Sequence, residues 1–261
     1  MLQIPSRNPG RSIKVNVYKS TKSTQSSPVL LNLHGSGFIL PGHGSDDEFC
    51  ARVARETDYT VLDMRYRLAP ENPFPAALND VQDAVNWVLK QPDEFNSDRF
   101  AISGFSAGGN LALAAAGGIF RKDTFRSILA FYPSTNKSID PADRKTPDTS
   151  GKASPVFLSR LFDECYIPPT VDKKNPLVSP SFAQADAFPK NVLFITAACD
   201  NLCLEAEALA ARIESADGNR NVVRRRMEKC GHAWDKTAKP RTAQEKAKDE
   251  AYSLGIDMLR E

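Results

Sequence analysis

Only three histidines occur in 261 residues, at positions 34, 43 and 232. Chemistry that needs an imidazole therefore has few places to happen. Cysteine is scarce too: five residues, an odd number with no framework spacing. That usage implies reduced thiols in an intracellular protein. Cys199 and Cys203 stand four apart, but no second pair and no nearby histidine accompanies them, which argues against a metal site. No apolar run approaches the roughly 18 residues of a membrane span. The opening MLQIPSRNPGRS has no secretion-signal core, and the closing GIDMLRE is neither a peroxisomal nor a retention signal. A cytoplasmic protein is expected. Charge of one sign is missing as well, with 34 basic against 32 acidic residues and a net +2. That balance gives no reason to expect a nucleic-acid or anionic-membrane partner. Arg224, Arg225 and Arg226 form the one basic cluster, inside a strand pattern over 221–227, and read as a solvated edge.

With 41% hydrophobic and 25% charged residues, the composition is that of a globular protein. The length allows one sizeable domain or two small ones, with a core that needs no disulfide or metal. Repeats and low-complexity tracts are absent, and strands alternate with helices. Ile13, Val15 and Val17 alternate with polar residues. Short apolar runs at 28–33, 59–64, 99–103, 127–132 and 191–197 read as buried strands, and 221–227 continues the series. Between them, Ala77, Val81, Ala84, Val85 and Val88 share one helical face. So do Leu202, Ala206, Leu209, Ala210 and Ile213, and later Ala247, Ala251, Leu254 and Met258. The pattern predicts a mostly parallel sheet with helices on both faces. The stretch from about 134 to 188 breaks the rhythm, being rich in Pro, Asp, Lys and Ser. Its helix-like patch at 155–166 makes it an ordered cap on a single domain over 1–261.

The strand at 99–103 runs into GFSAGG and then an alanine-rich helix, the context of a nucleophile elbow around Ser106. Gly104 and Gly108 flank the serine and lack side chains that would clash across so sharp a turn. The helix that starts near Ala107 points free amides and its positive end at the serine. A serine needs a base, and the base needs an orienting acid, in the order acid then histidine. Only His232 lies downstream, in a turn after the strand at 221–227. Asp200 follows the strand at 191–197, so both fall at strand C-termini, where open α/β sheets place their chemistry. Asp200 also suits the cap of the helix after it. Asp235 is too close in sequence to His232 to face it easily. The loop HGSGF at 34–38 ends a buried strand in small residues. The backbone amides of Ser36, Gly37 and Ala107 are the expected oxyanion donors. His34 is expected to brace that loop, and His43 has no assigned role.

These residues resemble the α/β-hydrolases of the hormone-sensitive-lipase-like group. HGSGF is similar to that group's His-Gly-Gly-Gly loop, with Ser36 in place of one glycine. YRLAPENPFPAALND at 66–80 resembles its strand-to-helix connection, and GFSAGG its elbow. DNLCLEAEALAARI and GHAW resemble its acid and base segments, with 94 residues from Ser106 to Asp200 and 32 more to His232. The resemblance runs over nearly the whole chain. It implies an α/β-hydrolase fold with a reduced cap inserted after the sixth strand. It also implies a carboxylesterase with a Ser106–His232–Asp200 triad that cleaves small, mainly apolar esters through an acyl-enzyme, without metal or organic cofactor.

Two departures stand out. The residue before the serine is commonly acidic in the group and is Phe105 here. The N-terminal helical segment that helps form the group's lid is not seen before the first strand near Ser12. A more open alcohol side and an aromatic wall beside the serine are expected, with Phe38, Phe105, Trp234 and the 155–167 patch as pocket walls. The same triad chemistry also suits a lactone, amide, formamide or thioester. A non-catalytic small-molecule receptor is a further alternative, although such relatives lose the base that this chain keeps. The expected partner is a small-molecule ester, and a homodimer is left open.

Overall fold

A computed structural model describes residues 1–22, 26–151, 153–216 and 220–261. Eight strands form one sheet: β1 (Leu2–Pro5), β2 (Ser12–Tyr18), β3 (Ser27–Leu33), β4 (Thr60–Met64), β5 (Phe95–Phe105), β6 (Ser127–Phe131), β7 (Asn191–Ala197) and β8 (Asn221–Met227). Their spatial order is β1-β2-β4-β3-β5-β6-β7-β8. The β1–β2 and β2–β4 pairs are antiparallel, and every pair from β4 to β8 is parallel. The central strands β3, β4, β6 and β7 are buried almost throughout. That is why they read as continuous apolar runs rather than alternating ones.

The described residues form six α-helices, α1 (Asp47–Glu56), α2 (Ala76–Val88), α3 (Ala107–Gly118), α4 (Val156–Tyr166), α5 (Cys203–Ser215) and α6 (Ala243–Arg260), and all but α4 cover the sheet. α2, α3 and α5 pack on one face through residues such as Val81, Leu111 and Leu209. α1 and α6 pack on the other through Phe49, Val53, Tyr252 and Ile256. The α/β-hydrolase architecture expected from the sequence is therefore the one observed. β1 and α1 were not expected. Among the described residues no helix is long and apolar enough to cross a membrane.

Between Phe131 and Asn191 the chain leaves the sheet, and among the described residues α4 is the one α-helix there. α4 is tied down by buried charge. Lys137 Nζ lies 2.8 Å from Asp163 Oδ1. Arg144 sits 3.8 Å from Asp163 and 3.6 Å from Glu205 of α5. Glu205 Oε1 accepts the amides of Thr135 (2.7 Å) and Asn136 (3.1 Å), so its charge is spread over several donors.

The basic run lies on the edge strand β8. Arg224 pairs with Glu214 (2.6 Å), Arg225 with Glu250 (3.1 Å) and Arg226 with Glu207 (2.5 Å). Charged side chains on an edge discourage pairing with another chain. Exposed pairs are worth little in stability. Arg225→Gln should change the unfolding free energy by less than about 1 kcal/mol in a denaturant titration. A larger loss would mean that the arginine does more than solvate the edge.

Candidate active site

The parallel strands β3, β5, β6, β7 and β8 all end on one side of the sheet, and the site is built from the loops they release. At the end of β5 the chain turns sharply into α3. Ser106 makes that turn with φ 52° and ψ −112°, a backbone conformation rare for a side chain with a Cβ. Its amide donates to Phe131 O at 2.9 Å, which fixes the turn to β6. The glycines are there because backbones touch. A Cβ on Gly108 would lie 1.9 Å from the Leu33 carbonyl oxygen, and one on Gly104 2.3 Å from the Gly108 carbonyl carbon.

Ser106, His232 and Asp200, 126 and 32 residues apart along the chain, meet here. Ser106 Oγ is 2.8 Å from His232 Nε2, and His232 Nδ1 is 2.7 Å from Asp200 Oδ2. With Nδ1–H donating to Asp200, Nε2 is left to accept the serine proton. Asp200 Oδ1 takes the Leu202 amide at 3.1 Å, so the carboxylate is held from both sides. Leu202 itself precedes α5, so Asp200 braces the turn before the helix rather than capping it. Burial alone would lower the His232 pKa. The Asp200 charge and hydrogen bond, with Asp235 adding, outweigh it and hold the imidazole above its ordinary value.

Ser36, Gly37 and Ala107 lie beside Ser106 along the wall of one cavity. Their N–H groups donate to no acceptor among the described residues. The loop is braced from beneath. Tyr66 OH donates to His34 O (2.6 Å) and receives the Ser36 hydroxyl (2.8 Å), and Ser36 Oγ accepts the Phe38 amide (2.9 Å). His34 stacks on Tyr66 at 4.3 Å and its Nδ1 is 3.2 Å from Gly35 O. Burial lowers its pKa to about 4, so it stays neutral. His43 is not a free loop residue: its Nε2 is 3.0 Å from Asp63 O.

The cavity above Ser106 holds about 400 Å³. Its apolar wall comes from Leu40, Pro41, Leu158, Phe162, Leu202 and Ala233, and Lys137 and Arg144 also reach it. Phe38, Phe105 and Trp234 do not line it. Each is at most 2% exposed and packs behind the site. Phe105 is the last residue of β5, and side chains alternate across a sheet. Its ring falls on the α1/α6 face, stacked on Phe131 at 4.4 Å and edge-on to Phe49 at 5.4 Å. Phe38 stacks on Tyr166 at 3.7 Å, and Trp234 meets Tyr132 edge-on at 5.4 Å.

Other residues completed the site without a signal in the sequence. Lys236 places its ammonium 3.7 Å over the Phe105 ring, between Asp46 (2.7 Å) and Asp235 (3.0 Å). An aromatic face attracts a cation, so Phe105 has a partner where an acidic residue is common. Tyr132 packs edge-on to His232 at 5.0 Å and donates its hydroxyl to Asp235 at 2.7 Å. Tyr252 donates to the other Asp235 oxygen at 2.8 Å. Asp235 thus lies behind His232, bonded to Tyr132 and Tyr252, instead of facing it.

Comparison with known proteins points the same way. A family model described as alpha/beta hydrolase fold matches residues 30–236. The ethyl acetate hydrolase of Pseudomonas putida is 28% identical over 218 residues, 79% of this chain and 67% of that protein. An AB hydrolase superfamily protein of Schizosaccharomyces pombe is 28% identical over 202 residues, 72% of this chain and 58% of its own length. The matched stretch thus spans about two thirds or less of these relatives. An esterase of Pyrobaculum calidifontis superposes with a TM-score of 0.84 at 29% identity, over 99% of this chain and 84% of that one.

Proposed function

Since the chain belongs to the α/β-hydrolase fold family, we propose that it is a carboxylic ester hydrolase with Ser106 as nucleophile, His232 as base and Asp200 as orienting acid. One observation carries the reading: the two short contacts of His232, 2.8 Å to Ser106 and 2.7 Å to Asp200, at the floor of a cavity of about 400 Å³. Similarity to an ethyl acetate hydrolase supports the substrate class.

Ser106 Oγ attacks the ester carbonyl as its proton passes to His232 Nε2. The positive imidazolium is stabilised by Asp200. The tetrahedral oxyanion takes the amides of Ser36, Gly37 and Ala107, donors already in place before charge develops. His232 then protonates the leaving alcohol, and the acyl group remains on Ser106. A water deprotonated by His232 attacks the acyl-enzyme, and the imidazolium returns the proton to Ser106 Oγ as the acid leaves. The segment 134–188 serves as the lid, with Leu158 and Phe162 supplying apolar contacts for the substrate. Those walls, rather than Phe105, favour mainly apolar esters.

A panel of esters, lactones, amides and thioesters tests the substrate class, with Ser106→Ala as control. Esters should be turned over fastest. Preference for another class, at equal Ser106 dependence, would keep the mechanism and replace the substrate. The pH profile gives a second check. Only neutral His232 can act as base, so kcat/KM is lost as pH falls through its pKa. Because Asp200 raises that pKa, the midpoint of the acid limb should lie above 6.5. Asp200→Asn should move it downward. A wild-type midpoint below 6.5 would contradict the pairing.

A further inference from the structure

The oxyanion loop is held from two sides. Tyr66 binds it from below, as described. From above, the contacts come from one helix of the cap and from Lys137, which that helix holds. Tyr166 stacks on Phe38 at 3.7 Å with the rings 7° from parallel. Asp163 holds Lys137, whose ammonium lies 5.3 Å from the Phe38 ring centre. Phe162 lies directly over Gly37. A Cβ built on Gly37 would meet the ring at 2.5, 2.6 and 2.9 Å, so the glycine Cα rests against the ring. Gly37 and Phe38 have φ of 55° and 65°, two left-handed residues in succession. For Phe38 that conformation is costly and persists only because its surroundings impose it.

We propose that Phe162 is a positioning residue for the oxyanion hole: its ring seats Gly37 so that the Gly37 amide faces the developing charge. The proposal rests on the reading of Gly37 as an oxyanion donor. It makes the cap helix and the hole one packed unit, so that a displaced cap is also a catalytically impaired one. A donor tilted out of line loses stabilisation in the transition state while ground-state binding is little changed. A residue that served only as pocket wall would act the opposite way, on KM and on chain-length preference.

The test compares wild type with Phe162→Ala, Phe162→Leu and Phe162→Tyr on ethyl acetate, an ester too small to need the far wall, and on a longer-chain ester. Phe162→Ala should lower kcat for ethyl acetate by about 10-fold or more with KM changed less than about 2-fold. Phe162→Tyr, which keeps the ring over Gly37, should recover most of the kcat that Phe162→Ala loses, and Phe162→Leu should fall between Phe162→Ala and Phe162→Tyr. A double-mutant cycle keeps the test independent of folding losses. Gly37→Ala clashes with the ring, so its kcat penalty should shrink when Phe162→Ala is added. Unchanged kcat in Phe162→Ala with a raised KM for the long ester overturns the proposal, and so do additive penalties in the cycle. Failure of the ester-hydrolase reading would look different: Ser106→Ala would keep its activity whatever stands at 162.

Discussion

Ser106→Ala should lower kcat by on the order of 10⁶-fold while the folded protein unfolds where wild type does. On the proposed mechanism the loss is large because the Ser106 hydroxyl oxygen itself forms and breaks the covalent bond. The fold is spared because, among the described residues, the side chain has one hydrogen bond, to His232. The elbow itself is held by the Ser106 amide on Phe131 O and by glycine packing, both of which alanine keeps. His232 would still be oriented by Asp200 at 2.7 Å. Steady-state kinetics and thermal unfolding on the same preparation read both halves. A folded variant with more than about a tenth of wild-type activity would need a nucleophile other than Ser106.

Gly108→Ala should cost more than about 4 kcal/mol of stability, beyond the range of ordinary single substitutions. The new methyl would lie 1.9 Å from Leu33 O, 2.5 Å from Leu33 C and 2.7 Å from His34 O. Those are backbone atoms at the end of a central strand, with no rotamer to escape into. Either α3 lifts off β3 or the end of β3 moves, and both carry the site with them. Helix α3 bears Ala107, and β3 runs straight into His34 and the proposed oxyanion loop. The soluble yield and the denaturant midpoint report the effect, and any folded remainder should be poorly active. A variant with wild-type stability would show that the elbow does not need the close helix–strand approach described above.

Much of this was legible beforehand because the buried parallel strands have to be apolar along their whole length. β3, β4, β6 and β7 sit within a residue or two of the runs that announced them. The proposed triad could be read from the sequence because each member follows a strand and only one histidine lies downstream of Ser106. β1 was not, being four residues on an edge that pairs antiparallel to β2. α1 carries a narrow apolar stripe, Phe49, Cys50, Val53 and Ala54, in a segment where five of ten residues are charged. The pocket walls show where local reasoning fails. Phe38, Phe105 and Trp234 are neighbours of the site in sequence, yet their rings turn into the core. Proximity along a strand says little about which face a side chain takes. The walls that are present, such as Phe162 and Leu158, come from a cap whose placement depends on distant buried charges, Lys137 with Asp163 and Arg144 with Glu205. Nothing in the local pattern announces such pairings.

The central claim is that Ser106 carries the covalent intermediate, and mass spectrometry after treatment with a fluorophosphonate tests it directly. The phosphonate bonds to an activated serine oxygen with loss of fluoride. Intact protein should gain one phosphonate, and peptide mapping should place it on Ser106. Ser106→Ala should gain none. Wild type that stays unmodified, or that carries the phosphonate on another residue, would contradict the account.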